Sequence, residues 1–127
     1  MNQTPEISVV IPLYNEVENV EDLCRELKNA LDPIGRPYEV LLVDDGSRDG
    51  TGKRALELAK ADPAIRVLRL RRNFGQTAAF SAGFDHARGR VVVTSDGDLQ
   101  NDPQDIGPML RKLDEGEGYD IVCGWRK

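Results

Sequence analysis

The sequence predicts an α/β fold in which a mostly parallel, doubly wound sheet carries helices on both faces. Short apolar runs of strand length alternate with stretches of helical periodicity along the 127 residues, and such alternation builds successive βαβ units. The composition, 39% hydrophobic and 31% charged, suits one globular domain near the modal size. No linker, repeat or low-complexity segment interrupts residues 1–127, so we treat them as a single unit.

The first half of the chain predicts two strand and helix pairs. Residues 7–12 form a β-branched run closed by proline, and residues 17–31 place apolar side chains at helical spacing up to Asp32. The helix should end there, because a residue that precedes proline disfavours the α region. Residues 38–43 predict a strand buried on both faces, and residues 51–61 predict the second helix.

The second half continues the alternation. Strands are predicted at 65–70, 90–94 and 119–123, with helices at about 75–87 and 103–114 between them. Five strands joined by four helices give a sheet covered on both sides. In such sheets ligands bind outside the carboxyl ends of the strands, so the residues after each strand are the ones to inspect.

The charge balance limits the partners of this protein. Seventeen Lys and Arg residues stand against 22 Asp and Glu residues, which gives a net charge of −5 at pH 7. An acidic chain of this kind is not expected to bind nucleic acid. Four arginines between residues 66 and 72 nevertheless leave a local anion site open.

Cysteine usage and hydropathy predict a cytoplasmic protein. The two cysteines, Cys24 and Cys123, fall in a helical and a strand-like pattern, and we interpret them as free thiols because no apolar leader opens the sequence. The longest apolar runs, such as 40–43 and 91–93, fall far short of the roughly 18 residues that a membrane span needs.

Polar residues follow four of the predicted strands. They are residues 12–16, 44–45, 71–76 and 96–100. Turn chemistry alone would explain any one of these clusters. Their convergence on one edge of one sheet predicts a binding site there.

Asp96, Gly97 and Asp98 form the most informative cluster. Two carboxylates separated by a glycine can ligate a hard divalent cation or hydrogen-bond a ribose. Because Mg²⁺ keeps few protein ligands and fills its octahedron with water and phosphate oxygens, a diphosphate is the usual partner of such a cation.

Two other nucleotide motifs are matched only in part. Residues 50–55 satisfy G-x-G-x-x-A, but a dinucleotide fingerprint should follow its strand directly and here an acidic turn intervenes. Residues 46–53 resemble a P-loop with one residue too many, and Arg54 stands where Ser or Thr should hold Mg²⁺. These departures disfavour a dehydrogenase and an NTPase.

Four segments resemble the family 2 glycosyltransferases, and within them most closely the dolichyl- or polyprenyl-phosphate sugar transferases. These are residues 9–16 (VVIPLYNE), 43–51 (VDDGSRDGT), 71–76 (RRNFGQ) and 95–100 (SDGDLQ). The resemblance spans nearly the whole chain, in order. It implies a GT-A fold, a UDP- or GDP-sugar donor and a divalent metal, Mg²⁺ or Mn²⁺.

The resemblance also implies roles for individual residues. Positions that hold the nucleotide base and ribose in relatives are matched by Pro12, Tyr14, Glu16, Val43 and Asp45. Asp44 is expected to orient the turn instead. The D-x-D pair and the residues expected at the donor diphosphate are Asp96, Gly97, Asp98, Gln100 and Arg126, with Asp98 and Gln100 as metal ligands and Asp96, Asp98 and Arg126 as catalytic residues.

The function implied is an inverting, metal-dependent transfer of a sugar to a polyprenyl (dolichyl or undecaprenyl) phosphate. A metal ion and an arginine on the diphosphate would stabilise the charge that grows on the leaving group. A lipid phosphate is already ionised at pH 7 and needs no general base, whereas a hydroxyl acceptor, the alternative, needs a carboxylate base nearby.

A receiver-like signalling module is the reading from a different class. Such a module wants its acidic pair after the first strand and a lone aspartate after the third. Here the pair, Asp44 and Asp45, follows the second strand, and Arg71 and Arg72 follow the third. The positions of the charges therefore disfavour a receiver.

The resemblance covers the donor-binding half of the family domain. Relatives continue beyond the segment that matches Gly124–Arg126, with acceptor-binding elements and often with C-terminal amphipathic or transmembrane helices. We therefore expect a C-terminally truncated transferase domain with little turnover of its own. Membrane association, at the cytoplasmic face, would come from segments outside residues 1–127.

Overall fold

The computed structural model describes residues 4–94, 108 and 121–123, and these form one parallel sheet with helices on both faces. In chain order the elements are β1 (Ile7–Leu13), α1 (Val20–Leu31), a short 3-10 helix (Asp32–Ile34), β2 (Tyr38–Asp44), α2 (Thr51–Ala61), β3 (Ile65–Arg69), α3 (Gln76–His86), β4 (Val91–Thr94) and β5 (Ile121–Cys123). The strand order across the sheet is β3-β2-β1-β4-β5. The predicted α/β architecture is confirmed.

Strand β1 lies at the centre of the sheet. Ile7 pairs with Tyr38 of β2 on one side and with Val91 of β4 on the other, and both pairings are parallel. The chain thus winds outward from β1 through β2 and β3, and then returns to the other side of β1. This reversal creates the topological switch point at which ligands bind in doubly wound sheets.

Helices α1 and α2 cover one face of the sheet, and α3 covers the other. On the first face, Leu23 and Leu27 of α1 pack on Val9 and Ile11 of β1. On the second, Ala79 of α3 packs against Val10. A Cβ atom on Gly83 would overlap Val10, so the small residues of α3 permit the close helix packing that the sequence predicts.

The described element boundaries differ from the predicted ones mainly at α1. The helix begins at Val20 rather than at residue 17, because Glu16 accepts backbone hydrogen bonds from Asn19 and Val20 in a preceding turn. The Val17 N–H donates instead to the carboxylate of Asp49. Of the helix predicted at 103–114 only Pro108 is described, in helical conformation, and the rest lies outside the described residues.

A buried carboxylate ties the amino ends of the strands together. Glu39, near the start of β2, is 2% exposed. It accepts hydrogen bonds from the Ser8 hydroxyl (2.6 Å), from Arg66 (2.7 Å) and from the Arg88 backbone N–H (2.7 Å). Burial alone would raise the pKa of Glu39, but these hydrogen bonds outweigh it and lower that pKa. This amino edge is a structural region with its charge neutralised by protein cations.

The described helices and Cys24 are the features that correspond to the predictions from hydropathy and cysteine usage. In the described part of the chain no helix is long and apolar enough to cross a membrane. Cys24 is a free, buried thiol, and burial, aided by Asp62, raises its pKa to about 11. This thiol therefore stays protonated at neutral pH.

Candidate functional site

The candidate site lies at the carboxyl edge of the sheet, where β1 and β2 end side by side. Pro12 pairs with Val43 and Leu13 with Asp44, and the chain beyond each strand turns into a loop. The Asp45 N–H donates to the Leu13 carbonyl (2.8 Å), which extends the parallel pairing by one step. The segments predicted to bind the nucleotide are therefore neighbours in space.

The loop after β1 is fastened to the loop after β2 by a chain of hydrogen bonds. The Asn15 N–H donates to the Ser47 hydroxyl (2.8 Å), and the Arg48 N–H donates back to the Asn15 side chain (2.9 Å). At the next residue, the Glu16 N–H donates to the Thr51 hydroxyl (2.9 Å). These contacts fix where the two loops stand relative to each other.

Asn15 makes this arrangement possible through its backbone. Its φ of 54° lies in the left-handed region, which asparagine tolerates better than most residues. The preceding residue, Tyr14, is 45% exposed at the rim of the site. Glu16 is half-buried, and its carboxylate accepts a hydrogen bond from the Asn19 amide (2.9 Å).

Asp49, just before α2, also connects the loop after β1 to the loop after β2. Its carboxylate accepts hydrogen bonds from the backbone of Val17 (3.2 Å) and of Thr51 (3.0 Å). Desolvation would raise the pKa of Asp49, but the bonds from Thr51 and Val17 outweigh it and lower that pKa. Asp49 therefore stays ionised at neutral pH and holds the two loops together.

Asp44 and Asp45 point to opposite faces of the sheet, as successive strand residues do. Asp44 accepts a hydrogen bond from the Ser47 N–H (3.1 Å) and faces the Arg69 guanidinium at 3.6 Å. A Cβ on Gly52 would overlap the Asp44 carboxylate, so the first turn of α2 sits directly against it. Asp44 orients the turn, as the sequence predicts.

Asp45, 3% exposed, holds the loop between β3 and α3. One carboxylate oxygen accepts the Phe74 N–H (2.8 Å), and the other accepts the Gly75 N–H (3.0 Å) and the Asn73 side-chain amide (3.1 Å). No cation pairs with Asp45 among the described residues. Its negative charge is thus stabilised by neutral N–H donors at the start of α3, where the helix dipole also favours an anion.

The backbones of two loops meet next to Asp45. Gly46 has a φ of +74°, and a Cβ there would overlap the backbone of Arg72 and Asn73. Only glycine satisfies both the left-handed conformation and the close approach. The loop after β3 is therefore held against the site by Gly46 as well as by Asp45.

The structure sorts the arginine cluster by partner. Arg66 pairs with Glu39 (2.7 Å) at the amino edge, and Arg69 faces Asp44. Arg71 and Arg72 have no carboxylate partner in the part of the chain that is described. The Arg72 guanidinium instead lies 4.7 Å from the centre of the Phe74 ring.

The predicted donor-site residues divide into two groups. Pro12, Tyr14, Glu16, Val43 and Asp45 are brought together at the ends of β1 and β2. Val43 is fully buried and belongs to the apolar cluster under α3, so a nucleotide contact by this residue stays a prediction.

The second group lies outside the described residues. It comprises Asp96, Gly97, Asp98, Gln100 and Arg126. Strand β4, which precedes them, ends at Thr94 on the same edge of the sheet. Within residues 4–94, 108 and 121–123 no three His, Cys, Asp or Glu side chains are grouped to hold a metal ion.

Sequence reasoning missed the residues that build the frame of this site. Asn73, Ser47 and Thr51 shape the loops through hydrogen bonds to Asp45, Asn15 and Glu16. The spacing of Asp49 and Thr51 is a signal for an Asx turn that could have been found. The partners across loops carry no local signal.

A family model matches almost the entire chain. The model for glycosyl transferase family 2 covers residues 8–127. This protein belongs to glycosyl transferase family 2. The four segments at the carboxyl edge that suggest this family from the sequence thus lie within the matched range, and a receiver module is excluded.

This family 2 glycosyltransferase is similar to named enzymes and to solved structures. Dodecaprenyl-phosphate galacturonate synthase from Rhizobium johnstonii is 45% identical over 126 residues, which are 98% of this chain and 37% of that protein. Mannosyltransferase PcManGT from Pyrobaculum calidifontis, solved with GDP-Man and Mn²⁺, superposes with a TM-score of 0.75 at 26% identity, over 87% of this chain and 33% of that one.

S. aureus TarS 1-349, solved with UDP-GlcNAc, gives a TM-score of 0.72 at 25% identity. That match covers 87% of this chain and 31% of TarS. The glycosyltransferase fold is therefore confirmed for this chain, which spans about a third of the length of each of these relatives.

Proposed function

We propose that this protein transfers a sugar from a nucleotide-sugar donor to a polyprenyl phosphate. The observation that carries the proposal is the 45% identity, over 98% of the chain, to a dodecaprenyl-phosphate galacturonate synthase. The joined loops at the ends of β1 and β2 support it, because they offer a preformed wall for a nucleotide at the carboxyl edge, next to the switch point between β1 and β4.

The donor is proposed to be a UDP- or GDP-sugar. Two solved neighbours hold GDP-Man and UDP-GlcNAc respectively. In this chain Pro12, Tyr14, Glu16 and Asp45 are the described residues proposed to face the base and ribose. The exposed ring of Tyr14 supplies a flat surface for a base, and the Glu16 carboxylate supplies a hydrogen-bond acceptor for a ribose hydroxyl.

The proposed cofactor is Mg²⁺ or Mn²⁺, held by Asp98 and Gln100 beside Asp96. Carboxylate and amide oxygens are hard ligands that suit either ion. When bound, such an ion supplies positive charge for the diphosphate leaving group. PcManGT was solved with Mn²⁺, which supports a divalent ion here.

The chemistry assigned to the protein's own groups is modest. Arg126 is proposed to stabilise the charge that develops on the departing diphosphate, because charge stabilisation at the transition state lowers the barrier. The acceptor phosphate is ionised at neutral pH, so its oxygen attacks without a general base. Asp44 and Asp49 are occupied by loop contacts, so neither is proposed as a base.

We further propose that residues 1–127 form the donor-binding portion of the transferase and that it works at the cytoplasmic face of a membrane. In this proposal the polyprenyl chain anchors the acceptor in a bilayer, and the nucleotide sugar comes from the cytoplasm. Turnover by this chain alone is expected to be low, since it spans about a third of its relatives.

Calorimetric titration tests the donor assignment. The purified chain is titrated with UDP and with GDP, each with and without Mn²⁺, and the titrations are repeated on Asp98→Ala. Binding of one nucleotide that depends on the metal and is lost in Asp98→Ala is the expected result. Asp85→Asn, on an exposed part of α3, serves as the control and should bind as the unmodified chain does. Metal-independent binding that Asp98→Ala leaves unchanged would contradict the proposal.

A further inference from the structure

The loop between β3 and α3 exposes an aromatic ring and two cations, and these cations pair with no carboxylate among the described residues. Arg71 and Arg72 are exposed and have no carboxylate partner among the described residues, whereas Arg66 and Arg69 are both paired. Phe74 is 51% exposed. Basic and aromatic side chains thus share one short surface segment, which we call the Arg-Phe loop (residues 71–74).

The exposure of this segment is held in place by the fold. The Phe74 and Gly75 N–H groups and the Asn73 amide all bind the Asp45 carboxylate. Gly46 packs so closely against the backbone of Arg72 and Asn73 that a Cβ there would overlap it. Because these contacts anchor the backbone, moving the Phe74 backbone toward the core would break these hydrogen bonds.

Arg72 lies over the Phe74 ring at 4.7 Å, so the cation and the ring present themselves together. An arginine stacked on an aromatic ring keeps its charge while shedding part of its water. The interface of a bilayer, with phosphate groups above and acyl chains below, accommodates the guanidinium and the ring at once.

The overall charge of the protein restricts how it can meet an anionic surface. With a net charge of −5 the average surface is repelled by anionic lipid. Only a locally basic region can make the approach favourable. The Arg-Phe loop is such a region, and it lies at the carboxyl edge, the edge to which the proposed function assigns the donor.

We propose that Arg71, Arg72 and Phe74 dock the carboxyl edge of the sheet on an anionic phospholipid bilayer. The arginines bind headgroup phosphates, and the Phe74 ring enters the interfacial layer. This inference rests on the proposed function, because a polyprenyl phosphate acceptor is held in a bilayer and its phosphate is presented at the headgroup level.

Vesicle sedimentation tests this docking surface. The chain is mixed with vesicles of phosphatidylcholine alone and of phosphatidylcholine with phosphatidylglycerol, at low and at physiological ionic strength. Since one basic residue near an anionic surface strengthens binding by roughly fivefold, the variant Arg71→Gln/Arg72→Gln should bind about 25-fold more weakly to the anionic vesicles. Phe74→Ser should weaken binding to the anionic vesicles as well, and the size of this loss should change less with ionic strength.

The matched control removes two cations from the opposite edge. Lys60→Gln/Arg90→Gln changes the net charge by the same amount, and both residues are exposed, at the end of α2 and just before β4. This control variant should bind the anionic vesicles only slightly more weakly, through the change in net charge alone. Thermal unfolding of each variant confirms that the sheet is intact.

Three results would overturn the docking surface. They are equal binding of the unmodified chain to neutral and anionic vesicles, an equal loss in the Lys60 and Arg90 control, and loss of nucleotide affinity in the Arg71 and Arg72 variant. The third would make these arginines ligands of the donor phosphates. Metal-dependent nucleotide binding without vesicle binding would leave the proposed function standing and reject the docking alone. Vesicle binding without nucleotide binding would reject the proposed function.

Discussion

Glu39 and Asp45 stand at opposite ends of β2, on the side of the sheet that α3 covers, and both are almost fully buried. Glu39 is surrounded by the guanidinium groups of Arg66 and Arg88. Asp45 is surrounded by backbone N–H groups and one amide. The same chemical group thus serves two purposes. At the amino edge its charge is neutralised to join strands, and at the carboxyl edge its charge is kept to shape a loop.

Removing the charge of Glu39 should have the largest effect on stability. Glu39→Gln preserves the shape but faces Arg66 and Arg88 with an uncharged amide, and breaking such a buried arrangement costs about 3 kcal/mol of unfolding free energy. Urea unfolding followed by circular dichroism measures it. Glu26→Gln, on the exposed side of α1, is the matched control and should leave the midpoint unchanged. Equal midpoints for the two variants would show that the amino edge is not held by charge.

Gly46→Ala attacks the carboxyl edge through the backbone. Alanine would be strained at the φ of +74° and would also overlap the backbone of Arg72, so we expect a loss of about 2–3 kcal/mol. Gly35 separates the two causes, because its φ is +76° but nothing lies within 4 Å of a Cβ there. Gly35→Ala should cost only the strain, about 1 kcal/mol. Equal losses in urea unfolding would remove the close approach from the account.

Asp45→Asn should act locally, with a global cost of only about 1 kcal/mol. The amide keeps one acceptor but turns a donor toward the N–H groups of the loop. Hydrogen exchange detected by NMR should then show loss of protection at the Phe74 and Gly75 amides, with the strand amides unaffected. Asp85→Asn provides the reference. Unchanged protection at Phe74 would mean that Asp45 does not hold the loop.

The pH dependence gives the smallest and most specific effect. The folded pKa of Glu39 lies below its ordinary value of 4.5, so its carboxylate stabilises the fold above that pH and ceases to do so as the pH falls through the folded pKa. The stability gap between the unmodified chain and Glu39→Gln should therefore narrow on acidification below about 4.5. Urea unfolding at several acidic pH values measures the gap. A stability gap that stays constant with pH would mean that Glu39→Gln destabilises the fold through packing rather than through charge.

The sequence was sufficient for the elements because strand and helix periodicities are local properties. It was insufficient for the contacts that give each edge its character. Glu39 lies within residues 38–43, a run interpreted as an apolar strand, and its partners Arg66 and Arg88 are distant in the chain. The start of α1 depends on Asp49, across another loop. The pairing of Asp45 with the loop after β3 is likewise a tertiary event, for which no nearby residue gives a signal.

The central place of β1 affects how the protein is made on the ribosome. Its partner β2 emerges soon afterwards, but β4, on the other side, emerges only once residue 94 has been synthesised. At about 5–20 residues per second, Val9 and Val10, which pair with β4, stay unpaired on that side for several seconds. An open apolar strand edge invites association with other chains. Nascent chains stalled before β4 should therefore be the aggregation-prone species of this protein.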